Sequence, residues 1–220
     1  MPSLIDLIPH KYLAAQLRRP SGLVGKFLVA PMLNRRNSVL NDALLQSLEL
    51  EATDRVLEVG FGGGDLMSRV LPLVSAGHLI GADFSQDMVD VCARRFSSAI
   101  DSGVLELVCA SVEQMPMADG SVDKVCTANT IYFWSDPSAA VAELHRVIAP
   151  GGRLVIGFAP RETLERLPVT QHGFGMYEPD EVRELLLGVG FEDVAIEVVE
   201  DPDGMNCCVT AFGGADGARG

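Results

Sequence analysis

The residues best suited to chemistry lie in one stretch, Arg55-Val-Leu-Glu-Val-Gly-Phe-Gly-Gly-Gly-Asp-Leu66. Val56, Leu57 and Val59 read as a short buried strand, Gly60, Gly62, Gly63 and Gly64 as a tight turn, and Leu66–Leu71 as the start of an apolar helical pattern. A strand, a glycine turn and a helix N-terminus present backbone N–H groups to a ligand, and glycine lets that ligand approach the backbone closely. Carboxylates decide which ligand. The dinucleotide fingerprint G-x-G-x-x-G would need a third glycine where Asp65 stands. Asp65 and Glu58 would repel a pyrophosphate, whereas Asp83, about twenty residues past the turn, is placed to accept from ribose hydroxyls. The pattern selects a nucleoside that carries positive charge and no phosphate.

A second stretch, Asn129-Thr-Ile-Tyr-Phe-Trp134-Ser-Asp136-Pro137, gathers the sole tryptophan with a tyrosine and a phenylalanine. Tyr132, Phe133 and Trp134 can wall an apolar or aromatic acceptor. Further on, Thr170–Tyr177 sets His172 among glycines, with Tyr177 nearby as a further acceptor contact. A histidine titrates near neutrality and suits a general base. His172 and Tyr132 are therefore the candidate catalytic side chains, with His10 as a rival base.

These residues need a frame. From Asp54 onward, strand and helix patterns alternate, which implies a mostly parallel sheet with helices on both faces. Strands are expected at 55–59, 78–83, 105–110, 122–129, 153–158, 194–199 and 206–212, and helices at 66–74, 86–97, 137–148 and 179–189. The tight turn Asp201-Pro-Asp-Gly204 requires the last strand to run antiparallel to the sixth. The chain thus reads as one α/β domain with a Rossmann-like seven-stranded sheet. Residues 51–212 form the core and 213–220 a flexible tail. Residues 1–50 show helical stripes at 3–20, 22–33 and 37–48. They read as a lid over the open end of the sheet, with Tyr12 and Asn37 as acceptor contacts.

Glu58-x-Gly60-x-Gly62-x-Gly64, with Asp83 at its distance, resembles the first motif of the class I S-adenosylmethionine (SAM)-dependent methyltransferases, and the stretch 40–212 resembles their bacterial small-molecule "type 11" sort. The resemblance implies SAM as cofactor and S-adenosylhomocysteine as product. It places Glu58, Gly60, Phe61, Gly62 and Gly64 along the methionine part, Asp83 and Phe84 at the ribose, and Met88, Ser111, Val112 and Glu113 around the adenine. Asn129 falls near the sulfonium. Ser111 stands where the family often has an aspartate, so any bond to the adenine amino group there lacks charge. The Asn-Pro-Pro-Tyr motif that the family uses on nucleobase or protein nitrogens is absent after strand four. The expected reaction is methyl transfer to N, O or C of a small molecule, anionic or aromatic. The alternatives are a non-catalytic SAM-binding protein and, less compatible with the carboxylates, a dinucleotide-dependent oxidoreductase.

Charge and composition set further bounds. The 220-residue chain carries −13, which argues against nucleic acid as a partner. Residues 1–36 hold Lys11, Arg18, Arg19, Lys26, Arg35 and Arg36 against Asp6, so they sum to +5 and leave −18 on the rest. Five cysteines without C-x-x-C spacing read as buried thiols rather than a metal site, and point to the cytoplasm. No run of residues approaches the length of a membrane span.

Overall fold

The computed structural model describes residues 9–18, 37–201 and 204–214. The seven strands form one sheet in the order β3-β2-β1-β4-β5-β7-β6. They are β1 (Arg55–Val59), β2 (His78–Asp83), β3 (Leu105–Cys109), β4 (Val122–Ala128), β5 (Ile148–Phe158), β6 (Phe191–Asp201) and β7 (Gly204–Gly213). β1 pairs in parallel with β2 and β4, β2 with β3, and β4 with β5. β7 runs antiparallel between β5 and β6, as the short 201–204 turn requires. Strand order reverses between β1 and β4, and ligands of such sheets bind in the crevice outside the strand ends there.

The helices are α1 (His10–Arg18), α2 (Ser38–Leu48), α3 (Asp65–Val70), α4 (Gln86–Arg95), α5 (Ser97–Asp101), α6 (Pro137–Val147), α7 (Arg161–Leu164) and α8 (Pro179–Gly188). Local chemistry fixes several ends. Asp136 caps α6 by accepting from the Ala139 N–H at 3.0 Å, with Pro137 in the first turn. Glu178 and Glu181 form a capping box at α8. α3 stops at Val70, short of the expected Val74, because Pro72 has no N–H to continue the ladder. β5 begins at Ile148 rather than Arg153, since Ile148 pairs with Val122 across an irregularity in register.

One face of the sheet packs on α6 and α8 through Leu57, Val125, Ile156, Leu144 and Val182. The other packs on α2, α3 and α4 through Val56, Val155, Leu44, Met67 and Met88. α2 therefore lies on the sheet face: a Cβ on Gly157 would come within 2.9 Å of Leu44. α1 instead lies against the 3-10 turn Pro168–Gln171 beyond the strand ends. The expected helix at 22–33, residues 3–8, the turn residues 202–203 and tail residues 215–220 lie outside the described residues; residue 213 belongs to β7. Cys92, Cys126, Cys207 and Cys208 are buried free thiols, but Cys109, expected buried, is exposed at the end of the sheet's β3 edge. Among the described residues no helix is long and apolar enough to cross a membrane.

Leu44 is fully buried at the centre of the α2 contact. Leu44→Ala should lower stability by about 2–5 kcal/mol. Urea unfolding checks this, with the expected change in the midpoint and not in the slope.

Candidate functional site

The sheet's carboxyl ends open into a cavity of about 380 Å³. Its first half is built by the turns after β1, β2 and β3. Gly60 (φ +71°) and Gly62 (φ +49°) lie in the left-handed region, where a side chain would be strained. At Gly60 a Cβ would also meet the Thr130 methyl at 2.3 Å, whereas the Cβ position of Gly62 faces open space. The Gly60 N–H donates to the Ala82 carbonyl at 2.7 Å, and the Gly62 N–H donates to Asp83 Oδ2 at 2.9 Å. Asp83 Oδ1 accepts from the Ser85 N–H at 2.8 Å. A carboxylate oxygen has more than one lone-pair site, so a bond from a backbone N–H does not by itself exclude a ligand hydroxyl. Phe84, 40% exposed, flanks Asp83 in the cavity wall. It offers a flat apolar surface for a base.

Ser111, Val112 and Glu113 close this half. Glu113 accepts from the Ser111 hydroxyl and from the Ser135 N–H, the latter at 2.8 Å. Burial raises its carboxyl, but the bonds from Ser111 and from backbone N–H groups outweigh that and hold it below the usual range. Arg146 fixes the loop behind it, bonding the Met115 and Met117 carbonyls and pairing with Glu143 and Asp119.

The second half lies past β4. Asn129 adopts φ +56°, rare for a residue with a side chain. Its amide group is held from both sides: Nδ2 donates to Asn37 Oδ1 at 3.0 Å, and Oδ1 accepts from the Tyr132 hydroxyl at 2.8 Å. Tyr132 also accepts from the Ala159 N–H. Phe133 and Phe174 meet edge to face at 4.7 Å between centroids, and Tyr132 packs on both. Trp134 Nε1 donates to Thr130 Oγ1 at 3.2 Å.

The structure brings together Gly60, Phe61, Gly62, Asp83, Phe84, Ser111, Val112, Glu113 and Asn129 of the expected cofactor residues. Asn37, Tyr132, Phe133 and Trp134 of the expected acceptor residues join them. It separates others. Gly64 packs under Phe96, where a Cβ would meet the ring at 2.6 Å. Met88 is fully buried in the core, as a helix residue facing the sheet should be. His172 is exposed and stands outside the cavity wall, as do Tyr12 and Tyr177. Tyr132 lines the cavity, but burial pushes its phenol above the ordinary value and its hydroxyl already bonds Ala159 and Asn129. Its hydroxyl holds the Asn129 side chain through the bond to Oδ1. Asp65 turns toward α2, bonding Asn41 at 3.0 Å and Arg69 at 3.0 Å, so it is not a bare charge at the turn.

Sequence reasoning missed Leu13, Leu17 and Arg18 of α1, Thr130, and the Leu164–Thr170 and Phe174 walls. Phe174 lies between two glycines, which was a usable signal. The leucines had none beyond ordinary helix patterning.

Similarity to known proteins agrees with this geometry. Residues 57–156 match a family model described as a methyltransferase domain. The chain is 31% identical over 175 residues to an uncharacterized methyltransferase, YdaC, of Bacillus subtilis (strain 168), covering 80% of this chain and 92% of that one. The chain belongs to the class I SAM-dependent methyltransferases. It is also 32% identical over 127 residues to a demethylmenaquinone methyltransferase of Thermus thermophilus, covering 57% of this chain and 53% of that one. Among solved structures, a SAM-dependent methyltransferase from Aquifex aeolicus superposes with a TM-score of 0.70 at 23% identity, covering 84% of this methyltransferase and 97% of that chain.

Glu58 does not line the cavity; it is buried beneath the glycine turn, with Oε2 lacking a hydrogen-bond partner among the described residues. Burial first, then the charges of Asp83 and Asp65, push its carboxyl up from 4.5 to about 8. A cation above the turn would favour the ionised form, which suits a sulfonium and ammonium ligand. Without that cation, the folded pKa exceeds the unfolded one. The Glu58 contribution to stability is then full below about 4.5 and is lost as pH rises through about 8. Glu58→Gln should flatten the fall in Tm between about pH 5 and pH 8.5. A scan showing the same fall in both proteins would contradict this assignment.

Proposed function

We propose that this methyltransferase carries a methyl group from SAM to a small molecule held in the second half of the cavity. The observation that supports this best is a division within one continuous cavity. Asp83 and the glycine turn give its wall a polar cradle, and Tyr132, Phe133, Phe174 and the leucines give it an aromatic and aliphatic part. SAM, when bound, supplies an electrophilic methyl on sulfur, and the protein contributes alignment and exclusion of water.

Asp83 is the group for the ribose hydroxyls, and Phe84 the surface for the adenine. Asn129, fixed by Asn37 and Tyr132, presents its backbone at the boundary between the halves. Tyr132, Phe133 and Phe174 shield that boundary from water. A small acceptor is supported by the chamber's size and by the demethylmenaquinone substrate named for one relative. The acidic balance of the chain argues against a polyanionic partner.

Titration calorimetry should give heat with SAM and with S-adenosylhomocysteine, and none with NAD. Asp83→Ala removes acceptors for two hydroxyls and should weaken both nucleosides by about 10–100-fold. Retention of full affinity in that variant, or a preference for NAD, would refute the assignment.

A further inference from the structure

The acceptor chamber contrasts with the cofactor cradle in its chemistry. Leu13, Leu17, Leu164, Leu167 and Val169 line it beside the aromatic cluster. Among the described residues, the titratable groups that line the cavity are Arg18, Asp83, Glu113, Tyr132 and Asp201. Asp83 and Glu113 belong to the cradle, beyond β2 and β3, and accept from Gly62, Ser85, Ser111 and Ser135. Tyr132 is a buried phenol bonded on both sides. Arg18 offers guanidinium donors and no acceptor. Asp201, at the end of β6, is the one carboxylate outside the cradle among the described residues that line the cavity. Residues 19–36 contain no acid, histidine, cysteine or tyrosine, and they carry Arg19, Lys26, Arg35 and Arg36; Asp6, Asp203 and Asp216 lie outside the described residues.

We infer that the acceptor is an apolar thiol or phenol that enters already ionised, drawn by Arg18 in the cavity wall, and that no base among the described residues removes its proton. This rests on the methyl-transfer reading above. In the step itself, the acceptor's proton has already gone to bulk water. A lone pair on its S⁻ or O⁻ forms the new bond to the methyl carbon, as the bond from that carbon to the sulfonium breaks and its electron pair stays on sulfur. An anion and a cation become two neutral products. An apolar chamber favours such a step, because opposite charges attract strongly where water is excluded and both vanish as the bond forms. A neutral amine would instead create a new ammonium in a wall where Asp201 is the one carboxylate outside the cradle among the described residues.

The test uses the full chain and phenols and arene thiols of one skeleton but graded acidity, with a matched amine and alcohol. Trp134 is the sole tryptophan and lines the cavity, so quenching of its fluorescence in the presence of S-adenosylhomocysteine reports acceptor binding. Affinity should rise about tenfold as each phenol passes through its own ionisation, and Arg18→Leu should remove that rise while leaving S-adenosylhomocysteine affinity unchanged. With SAM, the midpoint of the pH–rate profile should move with the acceptor's acidity. Equal binding of the neutral forms, or faster turnover of the amine, would overturn the inference. So would a midpoint shared by all acceptors; if it disappeared in Asp201→Asn, that carboxylate would be the base. Turnover of no acceptor by a protein that binds SAM would refute this acceptor class alone, whereas failure to bind SAM would remove the reading beneath it.

Discussion

The hydrogen bond from the Gly62 N–H to Asp83 Oδ2, 2.9 Å long, is the constraint on which the site depends. It ties the turn after β1 to the end of β2, and the Gly60 bond to the Ala82 carbonyl reinforces the same junction. The turn can hold this shape because Gly60 and Gly62 tolerate left-handed backbone. From behind, Cys92 Sγ meets the Gly62 carbonyl and Arg95 donates to that of Gly63. The loop is fixed before any ligand arrives, which lowers the ordering cost of binding.

A second chain of contacts links this cradle to the acceptor wall. Thr127 Oγ1 donates to the Val59 carbonyl at 2.9 Å and shares a hydrogen bond with the Thr130 hydroxyl, which in turn accepts from Trp134. The Thr130 methyl occupies the space where Gly60 would carry a Cβ. The indole is thus placed by the same threonine that requires glycine at position 60. Asn129 sits inside this frame in a strained conformation, and such strain persists where surrounding contacts over-determine it. Here those contacts are Asn37, Tyr132 and the bond from its own N–H to the Gly157 carbonyl.

Much of this was legible in the sequence. Strands β1 and β2 follow from apolar runs bounded by turn residues, and the reversal of β7 from the short 201–204 connection. The cradle was legible because backbone chemistry needs particular residues at particular spacings: glycines at the turn, a carboxylate one strand over. The acceptor wall was readable only where aromatic residues cluster, at 132–134. Leu13, Leu17 and Leu164 face the cavity through tertiary placement, and nothing in a leucine's type separates a cavity wall from a core. His172 and Tyr177 misled for a related reason. His172 suits a base and Tyr177 an acceptor contact by type alone, but of this loop it is Phe174 that lines the cavity.

Asp65 was expected to repel phosphate from the helix mouth, yet it is paired with Arg69 and Asn41, and Glu58 is raised to about 8. Neither presents a bare negative charge to the cavity at neutral pH. The stronger reason is the occupation of a donor. In a dinucleotide site the backbone N–H groups of this turn hold the pyrophosphate. In this chain the Gly62 N–H is already given to Asp83. A phosphate at the turn would have to displace a carboxylate from its own backbone and then sit beside that displaced charge. A ligand that reads Asp83 through hydroxyl groups, and brings a cation near Glu58, leaves every one of these bonds in place. Selection against phosphate therefore comes less from repulsion at a distance than from a hydrogen-bond donor that the fold has already used.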